Sequence, residues 1–221
     1  MQRFIHFIGG FFLVILSSCS DKTEQNKPVV IRSTIQARPD ISQPYVPVDQ
    51  SPMDMCYYPP DYPILKMNGT DTNSLLARVI YSRPQKKGRQ IFGDSAHSLV
   101  LYGKEWRLGA NEATEIEFFK PVTILGKRVD RGRYVMYCIP HPDTWRIVLN
   151  SNLYTWGLHM ETDKDLLSFD IPVQEQSPMV EYFTMEFMKA TNGTDLMMTW
   201  ENVKAFLPVR LLGEQKNFEP L

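Results

Sequence analysis

Arg83, Arg89, Trp106, Arg107, Asn111, Glu112 and Trp156 have side chains that could hold a small molecule. Most of them stand in "YGKEWRLGANEAT", Tyr102 to Thr114, and the first two arginines in "YSRPQKKGR", Tyr81 to Arg89. An aromatic face stacks on a ligand ring while forked guanidinium and amide donors hold its oxygens. Such a cluster suits a sugar or a small carboxylate in a concave site. The same block also makes a structural corner. Gly103 and Gly109 would supply backbone conformations closed to other residues, and Asn111 tolerates the left-handed region. Trp106 would then be an apolar plug, and Arg107 and Glu112, one short turn apart, a bidentate pair. That spacing needs no ligand, so the corner is the simpler reading.

A catalytic alternative makes Glu112 a general acid or base whose charge state Arg107 sets, in a hydrolase or lyase acting on an envelope or dietary polymer. Such chemistry needs a second carboxylate about 5–9 Å away. Glu105 and Glu115 are the candidates, although Glu115 alternates outward on its strand. Other catalytic spacings are missing from the sequence. The 4 histidines, His6, His97, His141 and His159, form neither an H-x-H nor an H-E-x-x-H pair, and there is no Cys-x-x-Cys. No metal site and no cofactor are therefore expected. "GDSAHS", Gly93 to Ser98, sets Asp94, Ser95 and His97 side by side. Triads are assembled in space and not along the chain, so this reads as a polar surface loop.

The elements that must position these residues are strands. "LLARVIYS" from Leu75 is rich in apolar and β-branched residues, and "TEIEFF" from Thr114 alternates Ile116 and Phe118 inward. "VTILGKRVDRGRYVMYCIP" from Val122 reads as a strand, turns at Gly126-Lys127 and Arg131-Gly132, and a long strand ending at Pro140. "TWRIVLN" from Thr144 returns after a Pro-His-Pro-Asp turn. Strands are then expected from Asp165, Met179, Asp195 and Val203, with Asn192-Gly193 as a type I′ hairpin turn between the second and third. Pro178 and Pro208 suit strand starts or edges. About eight to ten short strands with no long amphipathic helix imply an all-β fold, an antiparallel β-sandwich or barrel-like sandwich.

The N-terminus supplies an address. Met1-Gln2-Arg3 precedes "FIGGFFLVIL", an apolar run shorter than the roughly 20 residues that span a bilayer. It ends in Leu16-Ser17-Ser18-Cys19, which looks like a bacterial lipobox, so residues 1–18 are expected to be a signal peptide and Cys19 the acylated first residue. The protein is thus expected on the cell envelope, lipid-anchored to the outer membrane. Residues 19–50 are polar and proline-dotted, a tether. The folded domain is placed at 51–212 and a tail at 213–221. With 24 basic and 25 acidic residues the chain lacks the positive excess that binding a nucleic acid requires. A glycan or a protein is the partner to expect. Cys56 and Cys138 show no framework spacing and are expected to be free.

Several stretches also carry a resemblance. "SPMDMCYYPPDYP" from Ser51, "ARVIYSRPQKKGRQIFG" from Ala77, the Trp106 block, the Val122–Pro140 run, Trp156-Gly157 and "SPMVEYFTMEF" from Ser177 resemble the secreted Bacteroidetes lipoproteins grouped as domain of unknown function 2911. That family has no established activity, so the resemblance implies a β-rich fold and an envelope location. The chain departs from the family pattern at Cys56, where serine is common, and in the "GDSAHS" insertion. Both departures detach Cys56 and His97 from any shared role.

Overall fold

A computed structural model describes residues 49–70 and 74–212. The leader, Cys19, the tether up to residue 48 and the tail at 213–221 lie outside the described residues. Eleven strands follow in chain order: β1 (Met53–Tyr58), β2 (Ala77–Ser82), β3 (Phe92–Gly93), β4 (Val100–Leu101), β5 (Glu115–Phe118), β6 (Val122–Ile124), β7 (Lys127–Val129), β8 (Gly132–Pro140), β9 (Thr144–Asn150), β10 (Asp165–Ala190) and β11 (Gly193–Leu211). A six-residue helix, α1 (Tyr62–Met67), follows β1 in a stretch with no helical period in the sequence. The fold is all-β, as the alternation implies.

Nine strands form one antiparallel system in the order β1-β2-β5-β8-β9-β10-β11-β6-β7, and it does not close into a barrel. Its inward positions meet in one core. Along β5, Ile116 and Phe118 are buried and Glu115 and Glu117 are not, the period-2 pattern that a half-exposed strand requires. β9 buries Trp145, Ile147 and Leu149 on one face, and the full burial of each such side chain contributes about 1.5–3 kcal/mol. β3 and β4 stand apart as a two-residue parallel ribbon, an exception to the antiparallel expectation, with exposed Asp94, Ser95, Ala96 and His97 between them.

The C-terminal third corrects the sequence reading. The four strands expected there are two, β10 and β11, each long and bent. β10 pairs β9 through Asp165–Pro172 and then β11 from Val173 onward, with register shifts between Glu175 and Val180 and between Val180 and Thr184. Bulges bend a strand without ending it, so the break at Pro178 marks a bulge and not a loop. β11 pairs β10 as far as Ala205 and β6 from Val209. Pro208 falls between these two ladders, where its missing N–H costs least.

The hairpin tip differs as well. Ala190 pairs Gly193, so Thr191 and Asn192 are the central residues, and of these two Asn192 takes a left-handed φ of 56°. The turn is not type I′ on Asn192-Gly193. Gly193 is required for another reason: a Cβ there would lie 2.2 Å from the Val209 carbonyl oxygen and 2.9 Å from the Arg210 Cα. The hairpin curls until its tip meets the end of β11, where Leu211 N–H donates to the Asn192 carbonyl at 3.0 Å. Gly193→Ala forces two backbones apart and is expected to lower stability by about 1–3 kcal/mol, the usual cost of overpacking, as read from urea unfolding midpoints.

Candidate functional site

Trp106 is the hub of the core. Its ring lies 4.9 Å from Phe183, 5.6 Å from Phe92, 5.7 Å from Trp145 and 5.9 Å from Trp200, centroid to centroid. It is 8% exposed, and its indole N–H donates to the Gly109 carbonyl at 3.3 Å. A ring enclosed in this way offers an edge to solvent, not a stacking face. Its backbone exchanges hydrogen bonds with Cys138 of β8 at 2.7 and 2.8 Å, which fixes the block against the sheet.

From that anchor the block runs past three cavities. Tyr102 lines the largest, a cleft of about 540 Å³ that also takes in Gln90, Asp143, Glu175, Glu201 and Asn202. Glu105, Trp106, Arg107, Gly109 and Ala110 line a groove of about 300 Å³, closed by Arg89, Leu99 and Leu158. Glu112 and Ala113 line a third, also about 300 Å³, with Met53, Tyr81 and Tyr154. Arg107 and Glu112 therefore open onto different spaces. No ion pair joins them, contrary to the expected bidentate pair. Leu108 and Asn111, with φ of 53° and 59°, turn the backbone between the two side chains.

Arg107 is half-buried, and its Nη1 donates to the Trp156 carbonyl at 3.4 Å. Burial lowers its pKa below the ordinary arginine value, and the charge of Glu112 offsets part of that. Thr114 N–H donates to the Arg107 carbonyl and Ala113 N–H to the Thr155 carbonyl, so the loop carrying Trp156 is tied to the block. Trp156 is 52% exposed and Tyr154 83%.

Arg89 belongs to the turn after β2. Segment 84–86 is stitched to the bulged part of β10: Phe183 N–H donates to the Pro84 carbonyl and Lys86 N–H to the Glu181 carbonyl. This pushes Lys87, Gly88 and Arg89 outward. Arg83 lies elsewhere. It pairs with Asp54 at 3.1 Å and donates to the Phe183 carbonyl and Thr184 Oγ1, so it ties β1 to β10 and does not line the groove. Asn111 donates to Asp49 Oδ2 and the Ser51 carbonyl, which ties down the first described residues.

A family model described as "Protein of unknown function (DUF2911)" matches residues 66–209. The chain belongs to this family. No curated protein and no solved structure matches it. The matched span of this DUF2911 chain contains Arg89, the Trp106 block and Trp156, and excludes β1 with Cys56.

The sequence reading missed the cleft beside Tyr102. Lys86 Nζ meets Glu201 there at 2.9 Å, and both side chains are nearly buried. Glu201 stands opposite Val180 at a bulge with φ of 57°, a conformation no local motif announces. Burial raises the Tyr102 pKa, with Asp94, Glu201 and Asp143 adding to the effect. Glu115 is less exposed than its alternation implied and lies 3.5 Å from Arg133. Among the described residues, no three His, Cys, Asp or Glu side chains gather as a metal site needs. Cys56 and Cys138 are both free, and burial, aided by the Asp54 charge, pushes the Cys56 thiol up to about 12, leaving it unreactive at neutral pH.

Because Arg107 and Glu112 face different cavities, a double-mutant cycle with Arg107→Ala and Glu112→Ala should give a coupling of about 0.5 kcal/mol or less in unfolding free energy. A bidentate pair would couple several-fold more strongly.

Proposed function

We propose that this protein is an envelope lipoprotein, acylated at Cys19, whose β-sandwich domain binds a glycan at the groove between the Trp106 block, the turn at Lys87–Arg89 and the loop carrying Trp156. The observation that carries the reading is the state of Arg107. A half-buried guanidinium has lost part of its hydration, and here it donates one long hydrogen bond to a neutral carbonyl and pairs with no carboxylate. A ligand oxygen at the groove would supply the missing partner. The larger cleft by Tyr102 makes no such demand, because its most buried charge, Glu201, is already matched by Lys86.

A binding role is favoured over turnover because Arg107 and Glu112 line different cavities and form no ion pair, so Glu112 lacks the bidentate partner an acid–base role was expected to have. Exposed Trp156 supports a sugar ligand, since a planar ring facing water can stack on a pyranose face. The tether and lipid would hold this surface a short distance from the membrane.

Two measurements test the proposal. In cells fed labelled fatty acid, the wild-type chain should carry the label and sediment with membranes, whereas Cys19→Ser should do neither. A soluble wild-type chain without label would overturn the anchor. On a glycan array, full-length protein should bind a subset of glycans, and Arg107→Ala should lose about tenfold or more in affinity, the weight of a charge-assisted hydrogen bond. Binding unchanged by Arg107→Ala and by Trp156→Ala would remove the groove from the account.

A further inference from the structure

We propose that the groove takes an extended acidic glycan, one whose sugars carry carboxylates; this rests on the binding reading above and specifies its ligand. The groove does not end at Arg89. A second cavity of about 330 Å³, lined by Gln50, Ser51, Gln85, Lys87 and Arg89, shares Ser51 and Arg89 with it. The two form one surface that runs from Lys87 past Arg89 to Arg107. Each is large enough for a small ligand by itself, and together they admit a chain.

The electrostatics of this strip are one-sided. Lys87, Arg89 and Arg107 line it, against Glu105 as the acidic lining residue. Among the described ion pairs none uses these three cations. Each is instead held by a neutral acceptor. Lys87 Nζ donates to Gln50 Oε1 at 2.6 Å. Arg89 Nε donates to the Lys86 carbonyl at 3.0 Å and Nη2 to the Gln85 carbonyl at 2.5 Å. Arg107 Nη1 donates to the Trp156 carbonyl. Such bonds orient a charge without neutralising it, which is what a preorganised anion site requires.

The neighbouring carboxylates Asp49, Glu112 and Glu181 keep their charges but line neither cavity. Asp49 accepts from Asn111 and from Ser51 N–H, and Glu181 Oε1 accepts from the backbone N–H of Lys87. Lys86, next in sequence to Lys87, is already paired with Glu201. The whole chain carries a net charge of −1, so the positive strip is a local feature and not a reflection of overall charge. Guanidinium forks match carboxylates two bonds at a time. Trp156, exposed and joined through its carbonyl to Arg107 at one end of the strip, favours a sugar chain over an acidic peptide, because an indole ring stacks on pyranose faces.

The test is binding of full-length protein to an oligogalacturonate, to its carboxyl-reduced neutral counterpart of equal length, to single-stranded DNA and to polyglutamate. The acidic oligosaccharide should bind at least about tenfold tighter than the neutral one and weaken as salt rises. The exposed variants Lys87→Gln and Arg89→Gln, remote from the core, should each weaken it about three- to tenfold, and Arg89→Lys should recover part of the loss. Equal binding of acidic and neutral chains overturns this inference and leaves glycan binding standing. Tighter binding of DNA or polyglutamate overturns the glycan assignment. Failure of every oligosaccharide defeats the binding reading and this inference together.

Discussion

The ring of contacts around Trp106 is the constraint on which the rest depends. Trp106 touches Phe92 from the small ribbon, Trp145 from β9, and Phe183 and Trp200 from the bent hairpin. Aromatic pairs at these distances add about 0.5–1.5 kcal/mol each beyond the area they bury. One side chain thereby fixes the ribbon, the sheet and the hairpin relative to one another. It also fixes the backbone of its own block, so Glu105, Arg107 and Gly109 open to the groove at the surface of a rigid core. The polar residues of the block are exposed because their neighbour is not.

The second determinant is the bend in β10 and β11. At the bulge opposite Glu201, β10 leaves its regular ladder and exposes backbone groups to a new partner. Segment 84–86 takes up that role, through the Phe183–Pro84 and Lys86–Glu181 hydrogen bonds and the bridge between Gln85 and Tyr182. The Trp200 indole N–H donates to the same Glu181 carbonyl at 3.2 Å. The left-handed Glu201, its pairing with Lys86 and the outward turn at Lys87–Arg89 are consequences of one irregularity. Irregular strands recur beside binding surfaces because they re-aim side chains that a regular ladder would hold in its own pleat.

Much of the fold was legible in the sequence because it is local. Alternation in Glu115–Phe118 specifies which face is buried, and turn residues set the limits of β6, β7 and β8. What failed depends on partners distant in the chain. Pro178 and Asn202 interrupt the apolar pattern as a loop would, and only the pairing of β10 with β11 shows that the strands continue through them. The Arg107–Glu112 pair was read from proximity in sequence, but two left-handed residues between them send the side chains into separate cavities. Trp106, read from the sequence both as an apolar plug and as a stacking face, is 8% exposed and packs in the core. The Tyr102 cleft could not be foreseen, because Asp143, Glu175 and Glu201 meet through three different connections. The grouping of Arg89 with Arg107 and Trp156 was visible only as chemistry, without any sign that Arg83 would be consumed by Asp54.

The central claim is that the ligand surface is the positively charged groove and not the larger cleft beside Tyr102. Hydrogen–deuterium exchange of full-length protein, with and without a saturating acidic oligosaccharide, separates the two directly. Slowed exchange is expected in the backbone at 85–89, 105–110 and 156–158, with the cleft segments at 142–143, 174–175 and 201–203 unchanged. Protection confined to those cleft segments would contradict the account.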